Sequence, residues 1–462
     1  MNFHHHYARI ARPVEACLVG SGSFGRSFLT QAARIPLVSA RIAVDMTAEA
    51  AAKAFAAAGI EGREIAICTT PAEARAAWKA GQRVAAGSLD TVLDLPFDIL
   101  IEATGAPVAA TRHALAAIEA GRHVALVSKE ADSVVGPGLA RLAAEKGVVV
   151  TPVDGDQPSL LIGLVTWAEL IGFEVLGAGK SSEYDFVFDP ASGDVICNGV
   201  RRPLPALAQH WALGGADAVA RSAARAEVLG SAFPLHTVPD LCEMTVVANA
   251  TGLSADVVGF HAPPARLPEI ANLFCERGQG GLLGGTRRVD VFHHLRLADE
   301  ASFAGGVFVT VRCEDPVSWK LLEEKGHIVA AGGHTAALYL PRHLLGLEVA
   351  TSLLDAAGLG VSGYGADYRP RQDLVAVAER DLPAGTVLSM GGHHHSIADV
   401  AGGMVDARPL GEDLPAPFYL VADAKLVRPV RAGDAIRLGD VAVDEASPLF
   451  KARLTQDTMF FG

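Results

Sequence analysis

The sequence predicts an α/β protein in three parts: a doubly wound parallel domain, an α+β middle domain and a small C-terminal β-rich domain. Three observations predict this. Short apolar strands alternate with helical stretches through residues 1–155. A G-x-G-x-x-G string closes the first strand, at Gly20 to Gly25. The texture then changes twice, after Gly155 and again near Tyr368. With 462 residues, the chain also exceeds what a single core ordinarily holds.

In order, VEACLVG reads as a buried strand, SGSFGRSFLTQAARI as a turn entering a helix, and RIAVD as the second strand. TAEAAAKAFAAAG is helical, with Gly59 as its C-terminal cap. EIAICT, FDILIEATG, HVALVSKE and VVVTPVD continue as strands, separated by PAEARAAWKAG, TRHALAAIEAG and LARLAAEKG as helices. β-Branched strands without polar alternation belong to a parallel sheet covered on both faces.

The middle domain is expected over 156–339. SLLIGLVTWAELIG is a long apolar helix and FEVLGAGK a strand ending at Lys180, followed by the irregular SSEYDFVFDPASGDVICNG. Two helical stretches come next, and RRVDVFHHLRL and GVFVTVRCE read as antiparallel strands around DEASFAGG. LPRHLLGLEVATSLLDAAGLG is expected as a long helix that returns over 340–368 to complete the first domain. Residues 369–462 read as short strands with turns at Ala384-Gly385 and Ala432-Gly433.

Composition narrows the function. A net charge of −13 argues against a nucleic-acid partner, whereas a small anionic ligand needs only a local basic pocket. No stretch reaches the ~18 apolar residues of a membrane span, and the N-terminus lacks the apolar core of a secretory signal. The six cysteines are scattered without a C-x-x-C pair, as expected of buried thiols in a reducing cytoplasm. The expectation is a soluble cytoplasmic protein with a small-molecule substrate, no membrane and no nucleic acid.

The glycine string points to a dinucleotide, because a strand precedes it, a helix follows and Asp45 ends the second strand. Gly20 permits the tight turn, Gly22 lets a pyrophosphate approach the backbone, and Gly25 lets helix and strand pack closely. Ser23 and Phe24 open the helix whose N-terminal N–H groups would face the phosphates. Asp45 can accept from a ribose 2′-hydroxyl and would repel a 2′-phosphate, which leans towards NAD over NADP. Arg41 or Arg26 could offset that repulsion.

Lys180, at the end of FEVLGAGK, is the first candidate for moving a proton to or from a carbonyl oxygen as hydride transfers. Glu183 and Asp185 add carboxylates beside it. Asp154 and Asp156 bracket Gly155 at a strand end, where ligands sit in such sheets. Asp156 also suits a helix N-cap and can serve as both. Arg287 and Arg288 follow GQGGLLGG and could clamp a phosphate or carboxylate of the substrate, or simply enter a strand. His393, His394 and His395 form a run better read as loop than as metal site, and no metal ligand set is assigned.

The strings VGSGSFG, EATGAP, GRHVALVSKEAD, GDQPSLLIGLV, GFEVLGAGK, EMTVVANATGL and ERDLPAGTVL resemble the homoserine dehydrogenase-like oxidoreductases. They are most similar to the branch with a C-terminal SAF domain, which includes 1-deoxy-D-xylulose 5-phosphate reductoisomerase-like enzymes. That resemblance implies a Rossmann domain, a dimerising catalytic domain and an SAF-like tail over 369–462. It also implies Lys129 near the nicotinamide and Thr104 and Gly105 lining its ribose. It allows NADPH as well as NADH, a divalent cation, and a homodimer. The activity it implies is reduction with rearrangement of a sugar phosphate; the alternatives are a homoserine-type alcohol dehydrogenase and a non-catalytic NAD(P)-sensing regulator.

Overall fold

The computed structural model describes residues 2–235, 237–391 and 395–462. His393 and His394 lie outside the described residues. The first domain is built on β1 (Val14–Val19), β2 (Val38–Val44), β3 (Ile65–Cys68), β4 (Arg83–Ala86), β5 (Ile99–Glu102), β6 (His123–Leu126) and β7 (Val150–Pro152). All seven run parallel in the order β3-β4-β2-β1-β5-β6-β7. The order reverses between β1 and β5, and such a switch point opens a crevice at the strands' carboxyl ends. The crossovers are α1 (Ser23–Ala32), α2 (Ala48–Ala57), α3 (Pro71–Lys79), α4 (Pro107–Glu119) and α5 (Lys129–Glu145).

The glycines do what their spacing predicts. Gly20 has a φ of +94°, and a Cβ on it would sit 2.4 Å from the Ala103 carbonyl oxygen. A Cβ on Gly25 would lie 2.3 Å from the Gly20 carbonyl oxygen, so only glycine lets α1 pack this closely on β1.

The middle domain begins with α6 (Gln157–Leu170) and β8 (Glu174–Asp189). Here the structure corrects the sequence reading. The strand does not end at Lys180 but runs on through SSEYDFVFD, and β9 (Asp194–Cys197) folds back on it in a hairpin. The two helical stretches are α7 (Ala218–Gly230) and α8 (Val238–Thr251). β10 (Arg288–Leu297) and β11 (Val307–Arg312) do not pair with each other as expected. Both flank β8, β10 in parallel and β11 antiparallel. A sixteen-residue central strand offers both edges, and each neighbour takes one. β12 (Thr335–Leu340) extends the sheet beyond β11.

The long helix expected over 340–368 is another correction. Pro341 and Gly346 fall in non-helical chain, and only Val349–Leu353 is α-helical, with a wider turn at Leu354–Leu359. Gly346 has a φ of +77° and lies against the Phe24 carbonyl, a contact no helix would make. The segment still returns to the first domain: Val349, Leu353 and Leu354 share a core with Phe24, Phe28 and Leu29.

The C-terminal part is β-rich, with β13 (Gln372–Ala378) and β14 (Val400–Asp406) paired antiparallel at its centre. It closes with a helix absent from the sequence reading, α9 (Pro448–Phe461), whose signals are Ser447 as N-cap and Pro448 behind it. This helix lies on α5, which contains Pro137. Gln456 accepts from Gly138 N at 2.9 Å and donates to the Val134 carbonyl at 3.0 Å. Those two groups would bond each other in an uninterrupted helix. No helix among the described residues is long and apolar enough to cross a membrane.

Candidate active site

The crevice at the switch point is a cavity of about 510 Å³, lined by Gly20, Gly22, Asp45, Thr104, Arg112 and His113 among others. Gly22 is the N-cap of α1 and no side chain caps that end, so its first N–H groups face a ligand position. A Cβ on Gly22 would meet nothing within 4 Å, consistent with open space beside it. Asp45 Oδ2 accepts from Ser21 N at 2.9 Å and from the Ser21 hydroxyl, and Oδ1 accepts from Met46 N at 2.7 Å. Burial alone would raise its pKa, but these bonds hold it below the usual value and keep it charged.

Ser23 and Gly25 stand in the first turn of α1. Phe24 turns its ring into the core and does not face the cavity. Arg41 cannot reach a 2′-phosphate, because its guanidinium lies 3.8 Å over the Trp78 ring and donates to the Trp78 carbonyl.

From the cavity the polar path continues towards the middle domain. Gly105, with a φ of +68°, donates to Ser128 Oγ at 2.9 Å. Ser128 immediately precedes Lys129 at the start of α5. Lys129 Nζ reaches Glu243 Oε1 and lies 3.5 Å from Asp156 Oδ1. Asp156 caps α6, its Oδ1 accepting from Gln157 N at 2.9 Å, as its residue type predicts.

Lys180 faces the same group from β8. Its Nζ donates to Glu243 Oε2 and lies 2.9 Å from Asp240 Oδ1 and 3.6 Å from Glu183 Oε1. Lys180, Asp240 and Glu243 have fully buried side chains, while Lys129 is 25% and Glu183 31% exposed. Glu183 and Lys129 are therefore the open rim and Lys180 the floor. Burial works against both ammonium ions, but the surrounding carboxylates outweigh it and keep Lys180 and Lys129 charged. Burial would raise Glu243, yet the two lysines pull it down to about 2. Asp240 is pushed up by burial to about 7, Lys180 offsetting only part of this. Among the described residues, Asp240 meets Lys180 as an ion pair, with no hydrogen-bond partner on either oxygen.

Asp240 and Glu243 are not among the sequence's site candidates, although EMTVVANATGL opens on Glu243 and D-x-x-E places both on one face of α8. His343, on the loop before Val349, is also new: its Nε2 is 3.9 Å from Asp156 Oδ1 and the side chain is 26% exposed. No sequence pattern marks it.

The other sequence candidates stand apart. Asp154 accepts from Ser159 Oγ at 2.7 Å and Thr351 Oγ1 at 2.5 Å, tying α6 to the returning segment. Asp185 is engaged by Arg296, at 2.9 Å, and His294, at 3.1 Å. Burial opposes its charge, but both partners hold its carboxyl below the usual range. Arg287 pairs with Glu169, and Arg288 donates to Ser254 Oγ at 2.6 Å. Arg288 faces Gly177 across the strands while Val291 faces Lys180. That offset is about 10 Å at ~3.3 Å per residue. Neither arginine can clamp a ligand at Lys180.

Residues 155–349 match the family described as "Oxidoreductase DRL, catalytic domain", to which this stretch is similar. No curated protein matches the chain. Among solved structures, GenD2 from gentamicin A biosynthesis, in complex with NAD, is 15% identical over 76% of this chain and 88% of its own, with a TM-score of 0.35. DOX-P reductoisomerase in complex with NADPH, fosmidomycin and magnesium is 16% identical over 37% of this chain and 45% of its own, with a TM-score of 0.26. An inositol dehydrogenase homolog from Azotobacter vinelandii, complexed with NAD+, is 17% identical over 40% and 44%, with a TM-score of 0.24. The chain thus spans less than half the length of the last two.

Proposed function

We propose that this protein is an NAD(P)-dependent oxidoreductase acting on a small hydroxylated, anionic substrate at the Lys129–Glu243–Lys180 cluster. The observation that carries the reading is the position of that cluster, one Gly105–Ser128 hydrogen bond beyond the glycine-lined crevice at the switch point. Buried titratable groups whose pKa values are shifted by specific charged partners are candidates for a functional site.

The nicotinamide supplies or accepts the hydride. Lys129, the exposed lysine, donates a proton to the substrate oxygen during reduction and takes it back during oxidation. Glu243 connects it to Lys180, and Asp240, poised near neutrality, exchanges the proton behind them. Lys180 keeps Glu243 ionised and so holds Lys129 in place. Lys129 and His343 are the positive or protonatable groups on the rim that an anionic substrate would meet. Asp45 favours NAD.

A second reading, reduction with rearrangement of a sugar phosphate, is favoured by one feature. Glu183, Asp240 and Glu243 bring carboxylate oxygens within 4.8 Å of one another, a donor set that fits a divalent cation. Such an ion would polarise vicinal substrate oxygens. Lys180 lies among the same oxygens and would compete with it.

The test is a screen of sugar phosphates, sugar acids and homoserine with NADH and NADPH, followed by cofactor absorbance, with and without Mg²⁺ or Mn²⁺ after chelation. Turnover lost in Lys129→Met with cofactor binding retained supports the oxidoreductase. Metal-independent turnover removes the second reading. Absence of NAD(H) and NADP(H) binding overturns both and leaves no place for a cofactor-sensing regulator either. The homodimer remains part of the proposal and is checked by sedimentation.

A further inference from the structure

The C-terminal domain meets the first domain beside the crevice, at the Gly105 turn between Thr104 and Ala106, both of which line the cavity. A hairpin pairs Met390 with Ile397 and Gly391 with Ser396, and Ile397, which is buried, pairs onward to Val400 at the start of β14. His395 stands beside this hairpin with a φ of +47°. Its Nδ1 lies 2.7 Å from Glu130 Oε1, in the first turn of α5. Its ring lies directly over the Gly105 turn, where a Cβ would come within 2.4 Å of His395 Cε1. Both neighbours belong to the first domain, so a third-domain side chain is built into the crossing between β5 and β6.

That crossing matters because of the sheet's topology. A dinucleotide laid over the switch point has its adenosine half on the β1–β2 side, at Asp45. Its other half then passes over the ends of β5 and β6. Those ends carry Thr104, which lines the crevice, Gly105, and Ser128-Lys129. With Nδ1 held by Glu130, Nε2 is the ring nitrogen of His395 left for a ligand over this turn.

We propose that His395 is a cofactor-binding residue supplied by the C-terminal domain, donating to the ribose next to the nicotinamide. The inference rests on the nicotinamide reading above. Glu130 orients the ring and draws its pKa above the usual histidine value, with burial and Lys129 opposing. Among the described residues, these and Glu102, in the strand leading to the Gly105 turn, are the charged groups near it. Glu102 itself is engaged by Ser128, Thr104 and His113.

Binding of NADH, NADPH and 5′-AMP to the full chain tests this, using wild type, His395→Ala and His395→Gln. His395→Ala is expected to weaken NADH about tenfold, the scale of one lost charge-assisted hydrogen bond. AMP, which lacks the nicotinamide half, should change less than about twofold, a split that general loosening would not produce. Wild-type NADH affinity should fall as pH rises through the His395 titration, and His395→Gln should flatten that profile. Equal NADH affinity in wild type and His395→Ala overturns the inference alone, as does equal weakening of NADH and AMP. A wild type that binds neither NADH nor NADPH overturns the nicotinamide reading itself.

Discussion

Lys129 and Lys180 hold opposite oxygens of one carboxylate: Glu243 Oε1 faces the first and Oε2 the second. Lys129 opens a helix of the first domain and Lys180 lies mid-strand in the second, so Glu243 is an electrostatic joint between them. Its removal leaves two ammonium ions facing a site with too little compensating charge. Glu243→Ala is expected to lower unfolding free energy by about 3–5 kcal/mol, the range for breaking a buried pair. Urea denaturation checks this; a loss below ~1 kcal/mol would show that the lysines find other partners.

Chemistry at the joint is separable from stability. Lys129→Met is expected to reduce kcat by ~10²–10⁴, as loss of a general acid does. NADH affinity, set in the crevice beyond Ser128, should hold. Lys180→Met should lower kcat too, because Glu243 and Asp240 lose their shared counter-ion. Single-turnover kinetics beside NADH titration reads both; unchanged kcat in Lys129→Met would exclude it as the proton carrier.

Much of this site could be read from sequence, and what escaped has definite reasons. Gly20, Gly25 and Asp45 were legible because local geometry dictates them: a turn, a close contact and a strand end. Asp156 and Lys180 were legible as charges at strand ends and Glu183 as a carboxylate beside Lys180, whereas Lys129 was legible only through the family resemblance. Asp240 and Glu243 were not, since D-x-x-E on a helix usually reads as a solvated face. Only tertiary packing against β8 buries it. Arg288 misled for the converse reason: a glycine-rich neighbourhood suggested a ligand loop, but it enters a strand three residues away from the position that faces Lys180. Domain contacts such as His395 on Gly105 leave no local trace.

Asp132 is a buried carboxyl outside the lysine cluster, accepting from Tyr364 at 2.5 Å and Tyr368 at 2.6 Å. Burial raises its pKa to about 7, the two hydroxyls offsetting part of the cost. In the unfolded chain it would titrate near 4. The folded state therefore keeps a proton that the unfolded state has released between these values. Stability from this group is full below pH ~4 and is lost as pH rises to about 7. Asp240 acts in the same direction. Asp132→Asn should flatten the fall in unfolding free energy between pH 4 and 7. Parallel curves for variant and wild type would place the titration elsewhere.

Asp45 turns a charged carboxylate towards the crevice while its neighbour Arg41 is held on Trp78. With Arg41 turned away from a 2′-phosphate at this strand end, the Asp45 charge should set cofactor preference. Asp45→Ser is expected to shift the NADH-to-NADPH affinity ratio towards NADPH by about tenfold or more, the scale of one ionic repulsion at close range. The two dissociation constants measured side by side decide it. A ratio unmoved by the substitution would mean that discrimination comes from elsewhere in the cavity, with Arg112 the next residue to change.

Arg453 fastens the last helix to the C-terminal sheet. Its Nε donates to Asp457 at 2.8 Å, and its Nη1 and Nη2 to Asp373 at 2.7 and 2.9 Å. Nη2 also donates to the Arg408 carbonyl at 2.6 Å. Burial disfavours the guanidinium, but the two aspartates outweigh it and hold its pKa above the usual value. Arg453→Ala leaves both carboxylates buried without their cation, at an expected cost of about 3–5 kcal/mol. Because α9 also carries the Gln456 bridge to α5, the loss should reach the first domain. Protease nicking near residue 448 should then appear together with weaker NADH binding. Nicking with NADH affinity unchanged would show that the tail and the crevice are energetically independent.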